Sequence, residues 1–373
     1  MDGDCSCGSG LRWQRCCGWR PVDRTGPRAL ARLQPLTDEA ARLIAAGQSA
    51  EGEALLLDAL DLGPDHLPAL LHLAALRLAQ QQAPAAEMLW QRVLRLTPNH
   101  LAATLSLGTS LLGRGKLAEA EAQARNAIRI APESPAAHNL MGMILTEDNR
   151  PQIGEYHYRR VLALSAARDP ILLANLAWNL KAQGRMEEAR RLYRDSLGMA
   201  PTVRQTLLGF ARLEEADRQF DAARAVLDVS DIAYPNDPQV RLARAVLLGR
   251  TGQREEAIAL IDRLAEGAGL GPAELLEKGR LLDKLGRFED AWAAFAAGQA
   301  AGHDAIRPDL SGRGGGGDDR ASAGIFHGLP PQPSAQGRPA RGRSAADLHS
   351  RLPSVRHDAG GTEPVGPSHD RRR

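Results

Sequence analysis

Four cysteines carry the clearest chemistry in this sequence. Cys5, Cys7, Cys16 and Cys17 lie together in the stretch DCSCGSGLRWQRCCG, residues 4–18. It reads Cys-x-Cys-Gly-Ser-Gly, then five residues, then Cys-Cys. Gly-Ser-Gly permits a tight turn that would bring the two cysteine pairs together. Four thiolates so spaced suit a tetrahedral zinc ion closed to water, a structural site rather than a catalytic one. No ligand position is left open for a reacting water, and no general base lies nearby. Two close pairs also fit metal ligation better than a disulfide framework in a reducing compartment. The other reading of the same residues is a redox-sensitive N-terminus without order.

This stretch resembles the SEC-C motif, the short zinc-binding sequence at the C-terminus of the bacterial preprotein translocase motor. The resemblance implies that Cys5, Cys7, Cys16 and Cys17 are the metal ligands, and Trp13 stands at the usual aromatic position. Two departures are visible. Cys17 stands where the fourth ligand is often histidine, and Leu11, Arg12, Gln14 and Arg15 replace the usual lysines.

The remaining chain offers little further reactive chemistry. GRGGGGDDR, beginning at Gly312, is not a phosphate loop, because no Lys-Ser/Thr closes it and no strand or helix pattern flanks it. The balance of 47 basic against 45 acidic residues argues against nucleic acid or an anionic membrane as partner. No apolar run approaches the roughly 20 residues that a membrane span needs. The opening MDGDCSCGSG lacks the charged-then-apolar pattern of a secretory signal, so the expected location is the cytoplasm.

What must position these residues is a repeat. Prolines at 64, 98 and 132 are 34 apart, as are those at 201 and 235, and Ala166 occupies the missing place between. Twelve residues before each stands a small residue, and the series Gly52, Ala86, Ala120, Gly154, Ala189, Ala223 continues at Ala257 and Ala291. Small residues suit a close crossing of two helices. Four positions on, Leu56, Trp90, Tyr158, Tyr193, Leu227, Ile261 and Phe295 fill the adjoining space, with Ala124 the exception. Glycines such as Gly115 and Gly184 end the first helix of a unit. The prolines end the second, because proline cannot continue a helix.

The pattern resembles the tetratricopeptide repeat family over eight units starting near residues 33, 67, 101, 135, 170, 204, 238 and 272. The fold so implied is all-α, a superhelical solenoid of about eight helical hairpins with the first helix of each pair lining a concave wall. Such stacks bury one continuous core and display a long groove. The partner this implies is a protein or peptide ligand in that groove. His138, Asn139, Asn175 and Asn179 fall near it, where amides could pair with an extended peptide backbone.

The sequence divides into a zinc-binding motif (1–20), a linker (21–32), the repeat solenoid (33–303) and a tail (304–373). The tail holds 12 glycines, eight prolines, eleven arginines and no lysine, a composition that cannot offset its ordering entropy. Read one nucleotide later, its codons permit P-R-S-G-T-T-L-V-E-Q across 353–362, preceded by the apolar string Q-P-I-F-I-L-G-F. That hidden string resembles the phosphosulfate-binding loop of sulfotransferases, so the tail reads as an out-of-frame product. An intact form would transfer sulfate from 3′-phosphoadenosine 5′-phosphosulfate (PAPS) to an acceptor hydroxyl. As written, the chain presents no catalytic residue and reads as a binding scaffold.

Overall fold

A computed structural model describes residues 5–6, 8–16, 18, 27–165 and 168–306, except for the side chains of 14, 27–30, 265–268 and 303–306. The described residues form eight helical hairpins and no β-strand. In chain order these are α1 (Pro27–Ala45) with α2 (Ser49–Leu62), α3 (Leu67–Ala79) with α4 (Ala83–Leu96), and α5 (Leu101–Gly113) with α6 (Leu117–Ile130). Next come α7 (Pro135–Glu147) with α8 (Pro151–Leu164), α9 (Pro170–Ala182) with α10 (Met186–Met199), and α11 (Arg204–Ala216) with α12 (Phe220–Ala233). The last are α13 (Pro238–Arg250) with α14 (Arg254–Ala268), and α15 (Pro272–Lys284) with α16 (Phe288–Ile306). Seven of the eight units begin where the repeat places them. The first helix instead opens at Pro27, inside the segment read as a linker, since proline with its fixed φ suits a first helical position.

Each boundary has a local cause. Asp169 Oδ1 accepts from the Ile171 amide at 2.7 Å, and Asp237 Oδ1 accepts from those of Gln239 and Val240 at 2.9 and 3.1 Å. Ser134 Oγ and His100 Nδ1 do the same for α7 and α5. Such caps satisfy amide groups that no preceding turn can pair. Between the helices of every hairpin one residue is left-handed: Gly47, Gln81, Gly115, Asn149, Gly184, Arg218, Gly252 and Gly286. Pro64, Pro98, Pro132, Pro201 and Pro235 each stand just beyond the capping residue of a second helix. Residues 166 and 167, where the missing proline would fall, lie outside the described residues.

The small-residue series is buried throughout, from Gly52 to Ala291. A Cβ on Gly154 would sit 3.0 Å from the Gly142 carbonyl oxygen and 2.9 Å from Asn179 Nδ2, so α7 and α8 cross with no space for a methyl group. Tyr158 and Tyr193 are 1% and 0% exposed and fill the flanks of two such crossings. Burying side chains of this kind stabilises by about 1.5–3 kcal/mol each.

Neighbouring hairpins stack so that first helices touch one another: α5 with α7, then α9, α11, α13 and α15 in turn. No two second helices make comparable contact. The row of first helices therefore forms the inner side of the curve. Their outward faces, left uncovered by the second helices, form its wall.

Candidate functional site

Two places concentrate polar groups: the cysteine hairpin at the N-terminal end and the middle of the inner wall. In the hairpin, the Cys5 amide donates to the Leu11 carbonyl at 2.8 Å and the Gly8 amide donates back to the Cys5 carbonyl at 3.2 Å. A 3₁₀ turn at Trp13–Arg15 then leads to Cys16, whose amide donates to Trp13. Gly8 and Gly10 have φ of 75° and 80°, the left-handed conformation that glycine adopts without strain. Cys5 and Cys16 are both buried, and Cys16 Sγ lies 3.1 Å from Ser9 Oγ. Cys7 and Cys17 lie outside the described residues.

The hairpin is built into the solenoid. Leu11, Cys5 and Cys16 belong to the same apolar core as Leu56, Leu60, Leu73 and Trp90. Arg77 of α3, itself buried, donates to the Ser9 carbonyl from Nε at 3.3 Å and Nη2 at 3.0 Å, and it pairs with Glu53 at 2.7 Å. Arg92 of α4 is 2% exposed and bridges the Arg15 and Pro64 carbonyls. Arg12 reaches Asp61 at 3.2 Å. A Cβ on Gly10 would meet Arg77 Nη2 at 2.5 Å, so this glycine also gives the guanidinium its place.

Cys5 and Cys16 are buried in one core, and among the described residues no three histidine, cysteine or carboxylate side chains are placed to hold a metal ion.

The four residues expected near the groove separate into two kinds. His138 and Asn179 are structural. The His138 ring lies between the Pro132 carbonyl, 2.9 Å from Nε2, and His157, with the two Nδ1 atoms 2.9 Å apart. Asn179 is fully buried and donates to Thr146 Oγ1 at 2.7 Å and the Pro151 carbonyl at 2.9 Å, tying α9 to α7 and α8. Asn139 and Asn175 do form part of a run of amides across three first helices. Asn175 donates to Asn139 at 3.1 Å, and Gln205 of α11 donates to Asn175 at 2.6 Å.

Beside this run lie residues that the sequence reading did not single out. Met143, Trp178 and Arg212 occupy the same place, the ninth residue, of α7, α9 and α11, and all three are part-exposed between buried neighbours. Glu147 and Lys181 follow in the last turns of α7 and α9. Burial pushes the Glu147 carboxyl up to about 7. Burial also lowers the Lys181 ammonium, and the nearby Arg212 charge lowers it further against the opposing pull of Glu215. Arg212 is lowered by burial too. None of Glu147, Lys181 and Arg212 has an ion-pair or hydrogen-bond partner for its side chain among the described residues, whereas Glu215 is taken by Arg250 at 2.7 Å. The 34-residue period, read at the ninth position of each first helix, was the signal that could have found Met143, Trp178 and Arg212.

This geometry agrees with comparisons to known proteins. Residues 105–169 and 180–247 match two models of the tetratricopeptide repeat. The chain superimposes on a tetratricopeptide repeat protein from Parabacteroides merdae with a TM-score of 0.51 and 18% identity, covering 63% of this chain and 93% of that one. A chain of the APC/C hetero-tetramer Cut9–Hcn1 gives the same TM-score at 15% identity, covering 59% of this chain and 43% of that one. The cellulose synthase operon protein C of Salmonella typhimurium is 34% identical over 136 residues, 30% of this chain and 12% of that protein. The chain thus spans about an eighth of that curated relative. The molecule is a tetratricopeptide-repeat solenoid in its fold, and its two matched segments are tetratricopeptide repeats.

No helix among the described residues is long and apolar enough to cross a membrane. The tail beyond Ile306, with the displaced-frame sulfotransferase reading that rests on it, lies outside the described residues.

Proposed function

We propose that this protein is an interaction scaffold whose inner wall binds a protein or peptide segment, with a structural zinc held by Cys5, Cys7, Cys16 and Cys17 at its N-terminal end. One observation carries the first part. The wall concentrates part-exposed amide, thioether, indole and charged groups on α7, α9 and α11, while most of the aliphatic residues of the same helices are buried. A surface of this kind offers contact area with hydrogen-bonding and charge specificity, as protein recognition requires. A photo-crosslinking amino acid at position 178, on the wall, should give discrete protein adducts in cells of the source organism. The same group at Ile153, exposed on the second helix α8, should give none. Equal labelling from both positions, or none from the wall, would overturn this function.

Zinc would act here as a staple. Bound thiolates tie the hairpin shut, and the hairpin's backbone in turn engages Arg77 and Arg92. Reduced, purified full-length protein should contain about one zinc per chain, and less than about half an equivalent would refute the site.

The sulfotransferase reading rests on the displaced frame alone. Resequencing codons 303 to 320 tests it: a one-base correction that opens a long downstream frame supports a catalytic domain, and an unchanged frame removes it.

A further inference from the structure

We propose that Lys181 and Arg212, side by side on the inner wall, receive an acidic side chain from an extended segment of the bound partner. This rests on the inner wall being the binding surface. The two cations sit on adjacent first helices, α9 and α11, which pack directly on each other. Around them the solenoid pairs its arginines thoroughly. Arg190 engages Glu214 at 2.8 Å and Asp217 at 2.5 Å, Arg185 engages Glu155 at 2.9 Å and Glu188 at 2.6 Å, and Arg204 engages Asp237 at 2.8 Å. Among the described residues neither Lys181 nor Arg212 is in an ion pair, yet both are withdrawn from full contact with water. Holding a charge in that state costs free energy that an incoming carboxylate would return as charge-assisted hydrogen bonds.

A second observation points to the same place. Tyr193 is 0% exposed, and its hydroxyl has no hydrogen-bond partner among the described residues. Its oxygen lies against Gly209, one turn before Arg212 on α11, where a Cβ would be only 2.6 Å away. The Arg212 charge acts on this phenol, so an orphan hydroxyl and an unpaired guanidinium are neighbours.

The surroundings define the occupant as a polypeptide with a single acid at this point. Trp178 stands one turn before Lys181 on the same helix face and offers apolar contact. The Asn139–Asn175–Gln205 run provides amide groups that suit an extended backbone. Glu215 acts on Lys181 from α11 and would repel a polyanion such as nucleic acid. The unpaired Glu147 would also favour a basic residue elsewhere in the same segment.

The test uses the full chain and a random peptide library displayed on phage. Selected peptides should carry Asp or Glu at one fixed place. They should bind the Lys181→Met/Arg212→Met chain about tenfold more weakly, since methionine keeps an unbranched stem but removes the charge. If that double variant fails to fold by circular dichroism, the single Lys181→Met chain replaces it and should show a smaller loss. A chain carrying Lys181→Glu and Arg212→Glu should select Lys or Arg at the same place. Peptides that need Trp178 but show neither an acidic position nor a response to the methionine variants would overturn this inference and leave the groove reading intact. A library that yields no peptide dependent on Trp178 would overturn both.

Discussion

Replacing Arg218 with glycine should make the protein more stable, although the change deletes a whole side chain. Arg218 occupies the turn between α11 and α12 with φ of 59°, where glycine stands in five of the eight hairpins. Its side chain is exposed and makes no ion pair or hydrogen bond among the described residues. The turn is held by the backbone, with the Arg218 amide donating to Glu215 and the Gln219 amide donating to Glu214. A left-handed L-residue costs roughly 1–2 kcal/mol. Glycine avoids that cost but gains freedom in the unfolded chain, which offsets roughly 0.4–1 kcal/mol. The net expectation for Arg218→Gly is a gain of about 0.5–1 kcal/mol. Gly184→Ala should lose a similar amount, because its φ is 77° and a Cβ there would touch nothing within 4 Å. Thermal and denaturant unfolding would read both changes. Because stacked repeats can melt in parts, hydrogen exchange in α11 and α12 should be followed alongside. A neutral or destabilising Arg218→Gly, with Gly184→Ala neutral, would refute the claim that turn conformation sets these energies.

Glu214→Ala should cost about 3 kcal/mol in thermal unfolding, since it strips a buried partner from Arg190, whereas Arg159→Ala removes an exposed arginine from Glu155, which keeps Arg185, and should change stability by less than about 0.5 kcal/mol. Stability between pH 7 and pH 5 should reflect two opposing groups. Burial first, then the charge of His138, lowers His157 to about 4, so the unfolded chain takes up a proton that the fold refuses, and stability falls as pH drops below 6.5. Glu147, raised to about 7, binds its proton more tightly when folded, so stability rises as pH drops below 7. Over this interval each contribution amounts to about 2 kcal/mol. The Glu147→Gln chain should therefore weaken on acidification and the His157→Gln chain should strengthen, as followed by denaturant titration at each pH.

The period of 34 was legible because the same backbone crossing recurs. Each crossing needs a small residue, and each helix end needs a residue that stops it. Gly154 and Pro132 therefore show their roles in the sequence alone. The turn series was only half legible: Gly115 and Gly184 announce a left-handed residue, while Gln81 and Arg218 adopt one because the flanking helices impose it. The inner wall was harder to read, since polar residues on a helix look alike whether they are buried or displayed. Asn175 and Asn179 are four apart on one helix and both are buried, yet one joins the run of amides along the wall while the other ties α9 to α7 and α8. Lys181 and Arg212 became visible only through what they lack, and no spacing rule reports a missing partner. The seat of the cysteine hairpin was hidden for a related reason, because Arg77 and Arg92 hold it from positions that read as ordinary helix surface.

The two ends of the stack differ in what closes them. Near the N-terminal end, the cysteine hairpin packs on α2, α3 and α4, with Leu11 in their common core. At the other end, Trp292 is 76% exposed and Phe288 68%, so α16 offers an uncovered aromatic pair to solvent. A row of nearest-neighbour contacts unravels from its weaker terminus. Fraying should therefore begin at α16 and travel toward the hairpin, and the central wall keeps its shape while the far rungs open and close.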